Sequence, residues 1–341
     1  VQGAERKLQM QDIARLAGVS TATVSRALNN SELVNDETRV RIEELARSLK
    51  YRINIGARNL RMQRNRTVAV VVPYDAATRQ NISDPFFVSM LGCLADALTD
   101  RGYDMLLSRV DADHLDAVAD LEASGRAIGV ILIGQWHHHD QLNELAMRQL
   151  PLVVWGARLA QQVYCTVGSD NIAGGALATE HLIGDGRRQI AFFGDPELPE
   201  IGQRYEGYRQ ALSRHGIRLD QRLVRHAAFA EGSARAAVQS LLDQEIAFDA
   251  VFASSDLLAM RTIGTLRERG IEVPDDVAVV GYDDIELAKY VHPSLTTIRQ
   301  PIDKGADALV EALLAIVDGK HPNSGILPTE LIVRESSLKR D

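Results

Sequence analysis

From residue 67 onward, short apolar and β-branched runs alternate with segments of helical period, and that alternation leaves few folds open. Val68-Ala-Val-Val-Val72 is continuously apolar, as a strand buried on both faces requires. The pattern predicts a helix from Phe86 to Arg101, a strand at 103–107, a helix at 115–124 and a strand at 128–133. Helix 142–149, strand 152–155, helix 172–183, strand 189–193 and helices 204–214 and 233–243 follow. Strand 250–253, helix 257–269 and strand 277–280 complete the series. Alternating strands and helices form parallel sheets covered on both sides. The series is too long for one compact sheet. A break near Tyr164–Asp170 divides it into two doubly wound halves.

Ligands of open α/β sheets bind beyond the carboxyl ends of the strands, so two facing sheets create a cleft with loops on both walls. The segment Pro73 to Pro85, Gly194-Asp195, Ser254-Ser255-Asp256 and Tyr282-Asp283-Asp284 all fall at such strand ends. The cleft is predicted from spacing alone.

The amino-terminal stretch is of another kind. In Met10 to Leu28, Ile13, Leu16 and Ala17 repeat at helical spacing and predict one apolar face. Gly18 sits where that helix must stop, since glycine enters a left-handed C-cap without steric cost. Ser20 follows as an N-cap for a second helix, whose Val24 and Leu28 turn inward and leave Thr21, Ala22 and Arg26 outward. A third helix is predicted over 36–49, capped by Asn35 or Asp36, with Val40, Ile42, Leu45, Ala46 and Leu49 as its buried stripe. The pattern is a helix-turn-helix with an exposed recognition helix. An ordinary helical hairpin shares the Gly-Val-Ser turn, but charge separates the two readings. Residues 1–66 carry 13 Lys/Arg against 7 Asp/Glu, whereas the whole chain has a net charge of −8. A basic head on an acidic body points to nucleic-acid contact confined to the head.

Other classes find little support. No apolar run approaches the ~20 residues of a membrane span, and no secretory signal is evident. Cys93 and Cys165 stand far apart, without the spacing of a zinc site or a disulfide framework, which fits a reduced cytoplasmic setting. His137-His138-His139-Asp140 is expected to be a solvated loop opening the next helix, not a metal site, because consecutive side chains diverge. No nucleophile elbow, phosphate loop or dinucleotide fingerprint is present, so neither an enzyme nor a cofactor is expected.

Taken together and in order, several segments resemble the lactose-repressor (LacI/GalR) family of bacterial transcription regulators. They are Asp12-Ile-Ala-Arg-Leu-Ala-Gly-Val-Ser20 with Thr23-Val-Ser-Arg-Ala-Leu-Asn29, Ala57-Arg-Asn-Leu60 and Asp84-Pro-Phe-Phe87. Arg204-Tyr-Glu-Gly-Tyr208, Val279-Val-Gly-Tyr-Asp-Asp284 and Leu295-Thr-Thr-Ile-Arg-Gln300 extend the likeness over nearly the whole chain. The resemblance implies an α/β protein with a helix-turn-helix head at 7–52 and a hinge helix and linker at 53–66. It also implies a core of two doubly wound subdomains of the periplasmic-binding-protein type, 67–165 with 296–327 and 166–295 with 328–341. No trailing leucine heptad follows, so a homodimer on a palindromic operator is expected.

By position in the family, Thr21, Ala22 and Arg26 would read bases in the major groove, Arg26 forking onto guanine. Ser25, Asn29, Thr38 and Tyr51 would hold the phosphate backbone. Leu60 would wedge between base steps from the minor groove, with Arg61 following that groove's negative potential. Ile53 stands where the family has proline, and Gly56 inside the hinge costs about 1 kcal/mol against alanine. Such a hinge is expected to fold only on DNA.

The effector pocket would combine Phe86, Trp155 and Phe229 as aromatic faces with Arg204, Ser255, Asp283 and Gln300 as polar contacts. Gly156 replaces a polar or acidic group that the family often carries there. The resemblance implies a repressor of carbohydrate-utilisation genes released by a sugar. A purine or nucleoside effector is the alternative, and so is a ligand that promotes DNA capture. A solute receptor and a sugar-directed enzyme are the competing classes, and the basic head speaks against both.

Overall fold

The computed structural model describes residues 10–28, 33–49, 65–74, 81–227 and 232–338. The chain divides into two units, residues 1–65 and 66–341.

In the first unit, α1 (Met10–Ala17) ends at Gly18 with φ +66°, and α2 (Thr21–Leu28) opens on Ser20, whose Oγ accepts the Thr23 amide at 3.0 Å. The third helix, α3 (Asp36–Ser48), is capped by Asn35, whose Oδ1 accepts the Thr38 amide at 2.8 Å. Ile13, Ala14, Val24, Ala27, Val34 and Ile42 form its small core. Two expected core residues lie outside it: Leu16 is 53% exposed and Val40 52%. Val40 is two positions from buried Ile42, which puts it on the opposite side of the helix. Around α1 the interior admits Ile13 and Ala14 and leaves Leu16 at the rim.

The second unit holds two six-stranded sheets. The first contains β1 (Thr67–Val71), β2 (Asp104–Ser108), β3 (Val130–Ile133), β4 (Leu152–Trp155), β5 (Cys165–Ser169) and β11 (Gly325–Leu327). Its order is β11-β5-β4-β3-β1-β2, parallel throughout. The second contains β6 (Ile190–Gly194), β7 (Val224–His226), β8 (Ala250–Ala253), β9 (Ala278–Asp283), β10 (Thr296–Arg299) and β12 (Glu330–Ile332). Its order is β12-β10-β9-β8-β6-β7, with β12 antiparallel to β10.

The inner strands of both sheets are buried on both faces. Val68, Val70 and Val72 pack beneath α4 (Pro85–Asp100) and α11 (Ile302–Val317), while Ala69 and Val71 enter the cluster on the other side. This follows from the two-residue period of a strand. In the second lobe, Phe193 and Phe192 divide the same way between two clusters.

The crossings between lobes differ from expectation. The supposed break at Tyr164–Asp170 contains β5, a strand of the first sheet, so the chain crosses after Ser169 and not at 165/166. The segment 296–327 does not belong wholly to the first lobe, because β10 pairs with β9 in the second. That crossing follows Arg299. The third, between Leu327 and Glu330, lies where expected. Polar, glycine-containing Cys-Thr-Val-Gly-Ser resembles a turn, yet Gly168 is a strand residue held against the Gly156 carbonyl, with no room for a side chain. Among the described residues no helix is long and apolar enough to cross a membrane.

Candidate functional site: an acidic, aromatic cleft between two lobes

A cavity of about 90 Å³ lies between the carboxyl ends of the two sheets. Phe86, Trp155, Arg204, Ser255, Asp283 and Gln300 all line it. Phe229, Asn29, Tyr51, Leu60 and Arg61 lie outside the described residues.

Arg204 projects from α8 (Pro199–Arg214) and is 7% exposed. Its Nε donates to Asn171 Oδ1 at 2.9 Å and its Nη1 to the Ser254 carbonyl at 2.5 Å. The guanidinium carbon lies 3.7 Å from the centroid of the Tyr282 ring, so the fork is stacked as well as bonded. Two glycines on α7 (Asn171–Gly184) make this placement possible. A side chain at Gly174 would meet the Tyr282 hydroxyl at 2.5 Å, and one at Gly175 would overlap the Arg204 backbone.

Asp283 ends β9 with φ +128°, and Asp284 follows at +55°. Both conformations are costly for residues with a Cβ and persist only where the surroundings over-determine them. Here they do. Asp284 accepts from Arg299 Nε at 2.7 Å and Arg334 Nη2 at 2.5 Å. Asp256, buried behind them, accepts the Ile285 amide at 2.9 Å and the Thr297 hydroxyl. Asp283 itself accepts from Gln300 Nε2 at 2.7 Å, and Gln300 Oε1 accepts from Ser169 at 2.7 Å. Thus a three-residue chain runs from the cavity to two of the lobe crossings.

Ser255 caps α10 (Asp256–Glu268), its Oγ accepting the Leu258 amide at 3.3 Å. Trp155 lies against Gly305 of α11, where a Cβ would meet its ring. Phe86 packs on the cores of both lobes. His139 opens its helix, with Nδ1 2.9 Å from the Tyr164 hydroxyl, and does not stand as a solvated loop.

The structure adds lining residues that sequence reasoning did not select. Asp84 caps α4 through the Phe86 amide at 3.0 Å and faces the cavity. Glu200 stands one turn before Arg204, and its Oε1 accepts the Gln135 amide from the opposite lobe at 3.4 Å. That i, i+4 spacing was the available signal. Trp136 belongs to a first-lobe loop but is buried in the second-lobe core beside Leu198 and Ile201, with φ +49°. Gln135 fills the space beside Gly156: a Cβ there would come within 2.7 Å of its amide carbon. Its Nε2 donates to the Ala157 carbonyl at 2.8 Å and to the Tyr164 hydroxyl at 2.9 Å.

Among the described residues, Asp84, Glu200 and Asp283 therefore share one cavity with a single arginine. Burial raises all three carboxyls above their ordinary range; Arg204 opposes this for Glu200 and Asp283, and Asp84 adds repulsion to Asp283 from across the cleft. Such a site rejects anions and welcomes hydroxyl donors.

Burial also pushes Asp256 up to about 7, against the opposing pull of its Thr297 and Ile285 hydrogen bonds. A carboxyl whose folded pKa is raised gives the folded state the extra proton, so its contribution is full at acid pH and is lost as pH rises toward 7. Urea melts of the native chain and Asp256→Asn between pH 5 and 8 should show that component in the native protein alone. Parallel pH profiles would remove the assignment.

In the head, Thr21, Ala22 and Arg26 are exposed on one side of α2, while Ser25 and Thr38 are partly buried. The helix thus presents a small, basic surface of the width a major groove accepts.

Comparison with known proteins places these parts. Residues 9–54 match the pattern of bacterial regulatory proteins of the lacI family, and residues 179–337 match a periplasmic binding protein-like domain. The HTH-type transcriptional regulator CelR of Thermobifida fusca is 34% identical over 97% of this chain and 98% of its own. The HTH-type transcriptional repressor CytR of Escherichia coli (strain K12) is 33% identical over 98% and 97%. A solved CelR–cellobiose complex, 33% identical, superposes with a TM-score of 0.73 over 96% of this chain and 99% of that one. With helix-turn-helix head and two-lobed core both matched along their length, the chain belongs to the LacI family of bacterial transcriptional regulators.

Proposed function

We propose that the protein is a repressor that binds a palindromic operator as a homodimer and is released when a neutral sugar occupies the cleft. The observation that carries this reading is the cavity itself, where three carboxylates and one stacked arginine face Phe86, Trp136 and Trp155. Carboxylates accept from sugar hydroxyls, the arginine donates to them, and aromatic faces cover the C–H surface of a ring. The cellobiose held by the related CelR supports this ligand class. A nucleoside would use the same aromatic faces and arginine and is the competitor to include in titrations.

A sugar touching both walls favours one arrangement of the lobes over another. Gln300 and Ser169, linked to Asp283, stand at two crossings where that change is felt. Operator affinity then falls because the ligand stabilises the arrangement that binds DNA poorly.

Both tryptophans of the chain line the cavity, so intrinsic fluorescence should respond saturably to the right sugar. Asp283→Asn should weaken that titration at least tenfold while operator gel shifts remain. Arg26→Ala should do the reverse, weakening the operator about 10- to 100-fold through the lost guanine fork and leaving sugar binding unchanged. If no duplex binds at low salt without sugar, the repressor reading fails. Release by ligand, and not capture, is the direction expected in the gel.

A further inference from the structure

We propose that a second groove, on the outer end of the first lobe, binds a small phosphorylated metabolite. The groove runs along the amino ends of β4, β5 and β11, opposite the cleft, and its volume is 880 Å³. Among its described lining residues the basic side chains are Arg158, Lys320 and His321, with no Asp or Glu, on a body that is otherwise strongly acidic; Tyr164 and Cys165 are the other ionisable groups there. Neither Arg158 nor Lys320 forms an ion pair within the described residues. A concave surface with two permanent cations, an imidazole and no carboxylate is suited to a phosphate dianion.

The walls are built, not draped. Gln162 Nε2 donates to the Tyr164 carbonyl at 2.8 Å and to Thr166 Oγ1 at 3.0 Å, and its Oε1 accepts the Leu159 amide at 3.0 Å. Ser324 Oγ accepts the Thr166 amide at 3.0 Å, joining the segment before β11 to the same wall. The loop 156–164 that forms this wall is also gripped from the cleft. The Arg158 carbonyl accepts from Gln203 of the second lobe at 3.0 Å, and the Ala157 carbonyl from Gln135. An anion fixed on Arg158 therefore steadies a loop that bridges the lobes, and tightens or loosens the cleft's own ligand. That consequence rests on the cleft being the effector site; the binding does not.

The test is calorimetry on the full chain at low ionic strength with glucose 6-phosphate, fructose 1,6-bisphosphate and inorganic phosphate, against sodium sulfate and chloride at matched ionic strength. A saturable one-to-one isotherm with a sugar phosphate is expected. Its affinity should fall about tenfold in Arg158→Gln and in Lys320→Gln, both exposed positions whose change leaves folding intact. Absence of heat, equal binding of sulfate and chloride, or an unchanged isotherm in the double variant Arg158→Gln/Lys320→Gln would overturn the proposal. Operator gel shifts enter none of these arms, so failure here is separate from failure of the repressor reading.

Discussion

Replacing Arg204 with alanine should abolish the response to sugar and destabilise the second unit by about 3–5 kcal/mol, the cost of stranding buried charges. The positive charge of the guanidinium opposes the effect of burial on both Asp283 and Glu200. Its removal also leaves Asn171 and the Ser254 carbonyl without their donor and bares the face of Tyr282. Arg204→Lys separates the two contributions. It keeps a positive charge but cannot fork to both acceptors or stack in the same plane. Urea unfolding should place it between the native protein and Arg204→Ala, while its sugar titration stays flat. A fully stable alanine variant with native sugar affinity would show that Arg204 neither supports the lobe nor touches ligand.

The second large effect is expected at Gly175 and Gly207, from adding a single methyl group. On the facing helices α7 and α8, each glycine meets the other helix's backbone. A Cβ at Gly207 would lie 2.7 Å from the Ala176 amide nitrogen and overlap the Ile172 carbonyl oxygen. At Gly175 it would lie 2.8 Å from the Arg204 carbonyl carbon. Backbone cannot rotate away as a side chain can, so the helices must part. Overpacked cores lose about 1–3 kcal/mol, and a backbone-to-backbone clash belongs at or beyond the upper end. Because Gly175 bears on Arg204 itself, Gly175→Ala should also weaken sugar binding, whereas Gly264→Ala, in open space, should change neither property. Thermal melts and fluorescence titrations of the three variants together check this. Native-like melting of Gly175→Ala would mean that the helices sit further apart.

The architecture was legible where the physics is local. Runs such as Val68–Val72 and Ala250–Ala253 are buried on both sides and can be little else. The cap residues Ser20 and Asn35 declare their helices in sequence. Arg204 of α8 and the strand-end residues Ser255, Asp283 and Gln300 come from separate stretches and line one cavity. What escaped depended on distant partners. β5 looked like a break because nothing in Cys-Thr-Val-Gly-Ser reveals that Gly168 must clear the Gly156 carbonyl. Trp136 does lie in a loop, and its burial is supplied by Leu198 and Ile201 of the other lobe, which the local sequence does not reveal. Glu200 needed the orientation of α8 before its carboxylate could be placed. In the head, Val40 and Leu16 satisfied a hydrophobic count, but a core of this size has no room for every apolar residue near its rim.

The order in which strands enter the first sheet bears on how the protein is made. α11 and β11, from residues 302–327, complete a lobe begun at residue 67, after the other lobe has been almost wholly spelled out. A nascent chain therefore holds Met90, Leu94, Val153 and Trp155 without the helix that covers them until residues 302–317 have been made. The second lobe waits later still, for β12 at residues 330–332, so neither sheet can be completed from one contiguous stretch of chain, and each stays open until the chain has returned to it.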